Sequence, residues 1–335
     1  MNNNPFLSII IPVYNGLSHD LKICLEHIFE KQFLEKKYYE VICVDDCSTD
    51  NTREWLKEHY SKYNNFVIIE NKVNVRQGGA RNNGVKVAQG KYILFIDQDD
   101  YYHAGCIDEI FKLLKNSDLD ILVTDSAYHF KNVENNKLQL NFKYKDIMTG
   151  EEFIEKNGFV FAPWRVVLRK EYYLKHHFSF EENVRIEDVD WGCKVIRYAE
   201  RIQYQPVLCV HYIQSETGTT DNMYRNKHIL IDQIKAGKRV IDVANECYSE
   251  SHLKKRVINV AEIYFNNSCK CMMGLICPFQ DKVDIISLIP NSESHYAIVR
   301  IAKATPKTFA ALSTVSVPIF RLSRKLYRWW KKWYM

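Results

Sequence analysis

The sequence predicts an α/β fold with a mostly parallel sheet covered by helices on both faces, followed by a helical extension. Apolar runs with the length of buried strands alternate with segments whose apolar residues recur at helical spacing. After residue 221 only the helical pattern continues. We therefore expect two domains in the 335-residue chain, residues 1–221 and residues 222–335.

The first strand is expected over Phe6 to Val13, a β-branched run of the kind found in strands buried on both faces. The turn-forming pair Asn15-Gly16 follows it. The next apolar residues recur at the spacing of an amphipathic helix: Leu21, Cys24, Leu25, Ile28 and Phe29. A second strand, Glu40 to Val44, then ends at Asp45-Asp46.

The alternation continues through the next helices and strands. Asn51, with Glu54 three residues later, predicts a capping box at the start of the second helix. Phe66 to Glu70 predicts the third strand. Gly90 is expected to end the third helix in the left-handed conformation. Tyr92 to Ile96 predicts the fourth strand, which ends in acidic residues.

The pattern is less regular after the fifth predicted strand, Asp120 to Thr124. Lys131 to Met148 is polar and predicts a loop, and Gly150 to Gly158 predicts a short helix. Glu187-Asp188 stands at the head of another helix, where acids favour the helix dipole. Gln203 to Tyr212 predicts the last strand of the first domain.

Polar residues follow three of the predicted strands: Tyr14-Asn15, Asp45-Asp46 and Asp97-Gln98-Asp99-Asp100. The carboxyl ends of parallel strands share one edge of the sheet, where such sheets bind ligands. Asp97 and Asp99 are one residue apart, so an extended chain places them on the same side. Their hard oxygen ligands suit Mg²⁺ or Mn²⁺. Because no glycine-rich phosphate loop follows the first strand, we expect a cation to neutralise any bound phosphate.

Charge and cysteine usage limit the class of protein. The formal net charge is +5, yet residues 295–335 hold nine Lys or Arg and no acid, which leaves −4 on residues 1–294. This asymmetry argues against a nucleic-acid-binding protein and for a basic tail with its own partner. Ten scattered cysteines and no visible export signal predict free thiols in the cytoplasm.

The basic tail has the pattern of an amphipathic helix that lies on a membrane surface. Its apolar residues fall on one side, opposite the basic ones: Ile319, Leu322, Leu326, Trp329, Trp330 and Trp333. We therefore expect a peripheral protein on the inner face of the cell membrane. The alternative is a terminal helix that packs on its own domain or on a second copy of the chain in a homodimer.

Three segments, in this order and spacing, resemble a known family: SIIIPVYN, VICVDDCSTDNT and GGARNNGVKVAQGKYILFIDQDD. They are similar to the family-two inverting nucleotide-sugar glycosyltransferases with the GT-A fold, whose bacterial members build surface polysaccharides. The resemblance covers roughly Phe6 to Thr220. It implies transfer of a sugar from a nucleotide sugar, with uridine diphosphate (UDP) expected, to a hydroxyl of a saccharide or lipid-linked acceptor, with Mn²⁺ or Mg²⁺ as cofactor.

The resemblance also implies roles for the donor-binding residues. Pro12 and Tyr14 are expected to line the base pocket, with Tyr14 stacking on the base. Asp46 is expected to accept a hydrogen bond from the base. Asp97 is expected to approach the ribose or the metal, and Arg81 to help hold the nucleotide.

Asp99 is expected to coordinate the metal, and Asp188, in the family's E-D pair, to be the general base that deprotonates the acceptor. Trp164-Arg165 stands where similar enzymes carry an aromatic residue on the acceptor side. Gln214 stands near the position of a family Arg, which weakens the inference of a phosphate-binding residue there. His211 is expected to be either a further metal or diphosphate contact or a structural residue.

Two other functions fit parts of the sequence. A sugar nucleotidyltransferase shares the acids and the metal but releases pyrophosphate. A non-catalytic nucleotide-sugar-binding protein keeps the pocket without turnover, although binding alone does not need the base Asp188.

Overall fold

A computed structural model describes residues 4–130, 137–139, 142–214, 226–249, 252–273, 275–290, 294 and 296–314. The chain forms two compact units, Met1–Gln214 and Ser215–Met335. The boundary predicted at residue 221 lies outside the described residues.

Within the described part of the first unit, nine strands form one sheet in the order β3-β2-β1-β4-β8-β6-β9-β5, with β7 paired to β6. The strands are β1 Leu7–Val13, β2 Tyr39–Asp45, β3 Phe66–Glu70, β4 Tyr92–Phe95, β5 Tyr101–Tyr102, β6 Ile121–Phe130, β7 Lys137–Gln139, β8 Val166–Arg169 and β9 Ile202–Gln214. The first four are parallel, as are β6 and β9, whereas β8 is antiparallel to both of its neighbours.

The helices of this unit alternate with the strands from β1 to β4 and less regularly after that. They are α1 Leu21–Phe29, α2 Thr52–Tyr60, α3 Arg76–Val87, α4 Cys106–Leu114, α5 Gly150–Asn157, α6 Lys170–Lys175 and α7 Asp188–Arg197. Every residue of β1, β2 and β4 is buried. This agrees with the continuous apolar runs, because strands of a parallel sheet are covered on both faces. The loops at their carboxyl ends are therefore held on a rigid base.

Three short strands that were not predicted, β5, β7 and β8, correct the predicted topology. β8, only four residues long, was not predicted, yet it lies between β4 and β6. Its insertion makes this part of the sheet antiparallel. β7 lies within the predicted loop Lys131 to Met148 and pairs with β6, which extends past the predicted end at Thr124 to Phe130. Strands this short carry too few residues for an alternating pattern to be recognised.

Two predicted features of helix ends are wrong. Asn51 is the N-cap of α2, as expected, but its side chain accepts no capping hydrogen bond, whereas a capping box is present at Thr149 and Glu152 of α5. Gly90 is not among the described residues with positive φ, and α3 ends earlier, at Val87. Close packing requires glycine at position 90, because a Cβ on Gly90 would lie 2.6 Å from the backbone nitrogen of Ser8.

The second unit is helical where the structure describes it. Its helices are α8 Lys227–Cys247, α9 His252–Met272, α10 Phe279–Ser287, α11 Ala297–Ala304 and α12, residues 306–314. α8 and α9 pack closely at Gly237, where a Cβ would lie 2.6 Å from the Phe265 ring. In the described chain, no helix is long and apolar enough to cross a bilayer. The tail from Pro318 onward, predicted as an amphipathic helix, lies outside the described residues.

Candidate active site

The loops that follow β1 and β2 are hydrogen-bonded to each other, at the shared edge of the sheet that the sequence predicts. The Asn15 N–H donates to Ser48 Oγ at 2.9 Å, and the Asn15 side-chain oxygen accepts from the Thr49 N–H at 2.8 Å. The Asp46 N–H donates to the Val13 carbonyl at 2.7 Å. Asn15 has a left-handed backbone, with φ of 50°. The turn-forming residue thus bends the chain where the two loops meet.

Asp46 is buried and held in one orientation. Its Oδ1 accepts from Asn71 Nδ2 at 2.8 Å and from the Val75 N–H at 2.9 Å. Pro12 lies inside β1 and is buried, whereas Tyr14, just beyond the strand, is 42% exposed. The structure therefore places a fixed carboxylate and an accessible aromatic ring at the carboxyl ends of β1 and β2.

The acidic turn after β4 concentrates negative charge. The pKa of Asp99 is raised to about 6, mainly by burial and next by the negative charge of Asp97. Asp100 is 1% exposed; its Oδ1 accepts from the Ile213 N–H at 2.8 Å, and its buried Oδ2 has no hydrogen-bond partner among the described residues. The pKa of Asp100 is raised well above its usual range, mainly by burial and next by the negative charges of Asp97 and Asp99.

These crowded oxygen ligands fit a divalent cation, whose charge would relieve the repulsion between the acids. Within the described residues, no group of three or more His, Cys, Asp or Glu is arranged to hold a metal ion. A cation at this turn therefore needs further ligands, such as phosphate oxygens and water, as is usual for Mg²⁺.

Arg81 connects the acidic turn to the predicted base. It is only 2% exposed, and its two terminal nitrogens bond different carboxylates: Nη2 to Asp97 Oδ1 at 2.5 Å and Nη1 to Glu187 Oε1 at 2.6 Å. Its guanidinium lies over the ring of Phe180, which stacks on Trp191 of α7. Burial alone lowers the pKa of Arg81, but the two carboxylates more than reverse this and raise it.

Glu187 and Asp188 begin α7, Glu187 as the N-cap and Asp188 as the first helical residue. Asp188 is enclosed by protein but keeps some solvent-accessible surface. Burial, then the charge of Glu187, raises the pKa of Asp188 to about 7, against the opposing effect of Arg81. A carboxylate with a pKa near neutrality is well suited to general-base catalysis.

His211 lies in a row of three imidazoles that the sequence did not predict. Its Nε2 is 3.0 Å from His103 Nδ1, and its Nδ1 is 2.6 Å from His129 Nε2. Tyr101, next to the acidic turn, stacks on its ring. The pKa of His211 is lowered to about 4, mainly by burial and next by electrostatic interaction with His129 and His103. Both ring nitrogens are thus engaged with other histidines, which favours the structural alternative for His211.

The Trp164-Arg165 pair separates into two environments. Trp164 stacks on Tyr212 with ring centroids 5.7 Å apart. Arg165 is buried, where its Nε donates to the Thr124 carbonyl and its Nη2 lies 3.5 Å from Asp125 Oδ1. Arg165 therefore supports the sheet.

Gln98, in the middle of the acidic turn, is a further residue that sequence reasoning missed. Its side-chain amide makes two hydrogen bonds to the backbone of Tyr14, each 2.9 Å long. A cavity of about 560 Å³ lies elsewhere, lined in part by Phe6, Lys91 and Arg169 at the opposite edge of the sheet. The converging loops, and not this cavity, hold the predicted site residues.

Comparison with known families identifies the chain. The sequence profile described as Glycosyl transferase family 2 matches residues 8–178, just over half of the chain. The chain belongs to this family. The matched part contains the Asp46 loop, Arg81 and the acidic turn, and it ends before Asp188.

Relatives of this family-2 member include enzymes that act on poly(ribitol phosphate). The poly(ribitol-phosphate) beta-glucosyltransferase of Bacillus spizizenii is 44% identical over 117 residues, which are 34% of this chain and 18% of that protein. The glycosyltransferase YibD of Escherichia coli is 24% identical over 68% of this chain and 67% of its own length. The chain therefore spans less than a fifth of the Bacillus relative.

Solved structures confirm the fold of this family-2 member. TarS 1–349 of Staphylococcus aureus in complex with UDP-GlcNAc has a TM-score of 0.65 at 20% identity, covering 96% of this chain and 91% of that one. The mannosyltransferase PcManGT of Pyrobaculum calidifontis, with GDP-Man and Mn²⁺, has a TM-score of 0.53 at 14% identity, covering 94% and 87%. The predicted GT-A fold with C-terminal helices is thus confirmed.

Proposed function

We propose that this family-2 member is an inverting glycosyltransferase that moves a sugar from a UDP-linked donor to a hydroxyl of a surface-polysaccharide acceptor. The observation that carries the proposal is the bridge through Arg81, which joins the acidic turn at Asp97 to the E-D pair at Glu187. The bridge thereby fixes the spacing between the edge proposed to bind the nucleotide and the E-D pair that contains the proposed base.

The donor nucleotide binds, in this proposal, at the carboxyl ends of β1 and β2. Asp46 accepts a hydrogen bond from the base, Tyr14 stacks on it, and Pro12 lines the pocket. Asn71 and Val75 bond one oxygen of Asp46, which holds the carboxylate in one orientation before the donor arrives. The complexes of S. aureus TarS with UDP-GlcNAc and with UDP support a uridine nucleotide as the donor.

Mn²⁺ or Mg²⁺ is the proposed cofactor, held by Asp99 with Asp97 nearby. When bound, such a cation supplies positive charge that stabilises the departing diphosphate. The crowding of three carboxylates supports this assignment, as does the Mn²⁺ in the PcManGT structure. We further propose that Arg81 acts on the nucleotide through Asp97, since the guanidinium is buried between two acids.

Asp188 is the proposed general base. Its carboxylate takes the proton of the acceptor hydroxyl as that oxygen forms a bond to the anomeric carbon. The bond from this carbon to the diphosphate oxygen breaks from the opposite side, so UDP leaves and the configuration inverts. General-base help of this kind contributes about 10²- to 10⁴-fold in rate.

The acceptor is proposed to be a saccharide, a lipid-linked saccharide or a polyol-phosphate polymer. The last class is supported by the relatives named for poly(ribitol phosphate). We also propose that the basic, tryptophan-containing tail attaches the protein to the inner face of the cell membrane, where lipid-linked acceptors are presented.

A panel of nucleotide sugars tests the function, with Mn²⁺ or Mg²⁺ and with glycan, lipid-linked and polyol-phosphate acceptors. The proposal expects acceptor-dependent release of UDP and a product of inverted anomeric configuration by NMR. Release of pyrophosphate from a nucleoside triphosphate and a sugar phosphate would instead identify a nucleotidyltransferase. Tight donor binding without turnover on any acceptor would favour a non-catalytic binding protein.

A further inference from the structure

Gln98 bonds both polar groups of one backbone residue. Its Oε1 accepts from the Tyr14 N–H at 2.9 Å, and its Nε2 donates to the Tyr14 carbonyl at 2.9 Å. A neighbouring strand makes this same pair of contacts in a regular sheet. The side chain of Gln98 therefore takes the place of a strand at Tyr14.

The sheet explains why such a substitute is needed. β1 pairs with β4 only as far as Ile10 and Phe95, although β1 continues to Val13. On its other side, β1 stays paired with β2 up to Val13 and Asp45. The end of β1 thus lacks a main-chain partner on the β4 side, and Gln98 supplies hydrogen bonds just beyond it.

The surrounding residues leave room for this contact. A Cβ on Gly16 would lie 3.2 Å from Gln98 Oε1 and 2.5 Å from Leu21 Cδ2. Gly16 therefore lets the loop after β1 approach the acidic turn. The turn is itself closed by a hydrogen bond from the Asp100 N–H to the Asp97 carbonyl, at 3.1 Å.

We propose that Gln98 is a positioning residue that joins recognition of the nucleobase to the carboxylates of the acidic turn. It holds the backbone of Tyr14, the residue proposed to stack on the base, at a set distance from Asp97 and Asp99. This inference rests on the proposed function. In it, Gln98 touches neither the base nor the cation and acts only through the position of Tyr14.

Gln98 should therefore affect the binding of a nucleotide but not the binding of a bare diphosphate. UDP contacts the base loop and the acidic turn together, whereas pyrophosphate can reach only the turn. Loss of the two hydrogen bonds loosens the backbone at Tyr14, so that binding of UDP must order it again. A residue needed only to shape the acidic turn would affect both ligands alike.

The test compares Gln98→Met, which keeps the length but loses both hydrogen bonds, with the wild type by calorimetric titration in Mn²⁺. We expect binding of UDP to weaken about tenfold, as for the loss of two modest hydrogen bonds, and binding of pyrophosphate to change less than about twofold. In a Tyr14→Ala background the same change should cost UDP less than about twofold. Gln203→Met is the matched control, because Gln203 also donates from an exposed site, to the Lys145 carbonyl.

Three outcomes overturn the inference: equal weakening of UDP and pyrophosphate, no weakening of UDP, or a tenfold loss that persists without the Tyr14 ring. Thermal unfolding of each variant shows whether a loss reflects the global fold, since an unfolded variant loses both ligands. A wild-type protein that binds UDP no more tightly than pyrophosphate contradicts nucleotide recognition itself. That result can be distinguished from failure of the Gln98 inference, because it contradicts the proposed function in the wild type before any variant is tested.

Discussion

Arg81 Nη1 donates to Glu187 Oε1 at 2.6 Å, across 106 residues of the chain. The other terminal nitrogen of the same guanidinium bonds Asp97. One planar group therefore sets the spacing between the acidic turn after β4 and the start of α7. Lysine cannot reproduce this contact, because an ammonium is a point charge without the two-pronged geometry of a guanidinium.

Arg81→Lys should lower kcat by about 10- to 100-fold, since small misplacements of reacting groups are costly, while the affinity for UDP changes much less. Steady-state kinetics and calorimetric titration measure the two effects. Arg165→Lys is the control, because Arg165 is also buried and lies near a carboxylate, Asp125, outside the proposed reaction. An Arg81→Lys enzyme with unchanged kcat would show that the bridge does not position the base.

Asp188→Asn should keep donor binding and lose about 10²- to 10⁴-fold in transfer, because the amide cannot take a proton. In the wild type, kcat should rise with pH through about 7, since burial raises the pKa of Asp188 to about 7 and only the ionised form is a base. A pH–rate profile from pH 5.5 to 8.5 measures this. A flat profile, or full activity of the variant, contradicts the role of Asp188.

Asp99→Ala should abolish the dependence of UDP binding on Mn²⁺, because the diphosphate loses the ligand that brings the cation to it. Titrations of UDP with and without Mn²⁺ test this. Asp118→Ala is the control, since Asp118 is an exposed acid paired with Arg201 on the surface. If Mn²⁺ strengthens UDP binding equally in both variants, the cation is held elsewhere.

Asp46→Asn should weaken UDP by about tenfold and leave pyrophosphate unchanged. The variant retains an oxygen that can accept from Asn71 and Val75, so the loop is preserved, while an NH2 donor replaces the other oxygen and opposes a donor on the base. Competition among uridine, guanosine and adenosine diphosphates measures the selectivity. An equal loss for all three would indicate a structural role.

Deletion from Pro318 onward should abolish co-sedimentation with anionic vesicles at low salt and leave UDP binding intact. Each basic residue near an anionic surface contributes about 1 kcal/mol, and salt screens this attraction. Neutral vesicles are the control. Equal sedimentation of the intact and shortened proteins would contradict the membrane role of the tail.

Local patterns predicted the parts of the fold that local physics determines. The apolar run of β1 and the helical stripe of α1 are visible over ten residues or fewer, and both form as expected. The meeting of the strand ends also followed from the rule for parallel sheets. The bridge from Arg81 and the contact of Gln98 with Tyr14 join residues 106 and 84 positions apart, so no local pattern contains them.

The row His103, His211 and His129 has a direction. A neutral imidazole carries one N–H, so His211 must donate from one nitrogen and accept at the other. Only two arrangements of neutral tautomers satisfy both contacts: the two N–H groups within the row both point toward His129, or both point toward His103. The tautomers of three neutral rings are therefore linked, and the row has one of two opposite dipole directions beside the acidic turn.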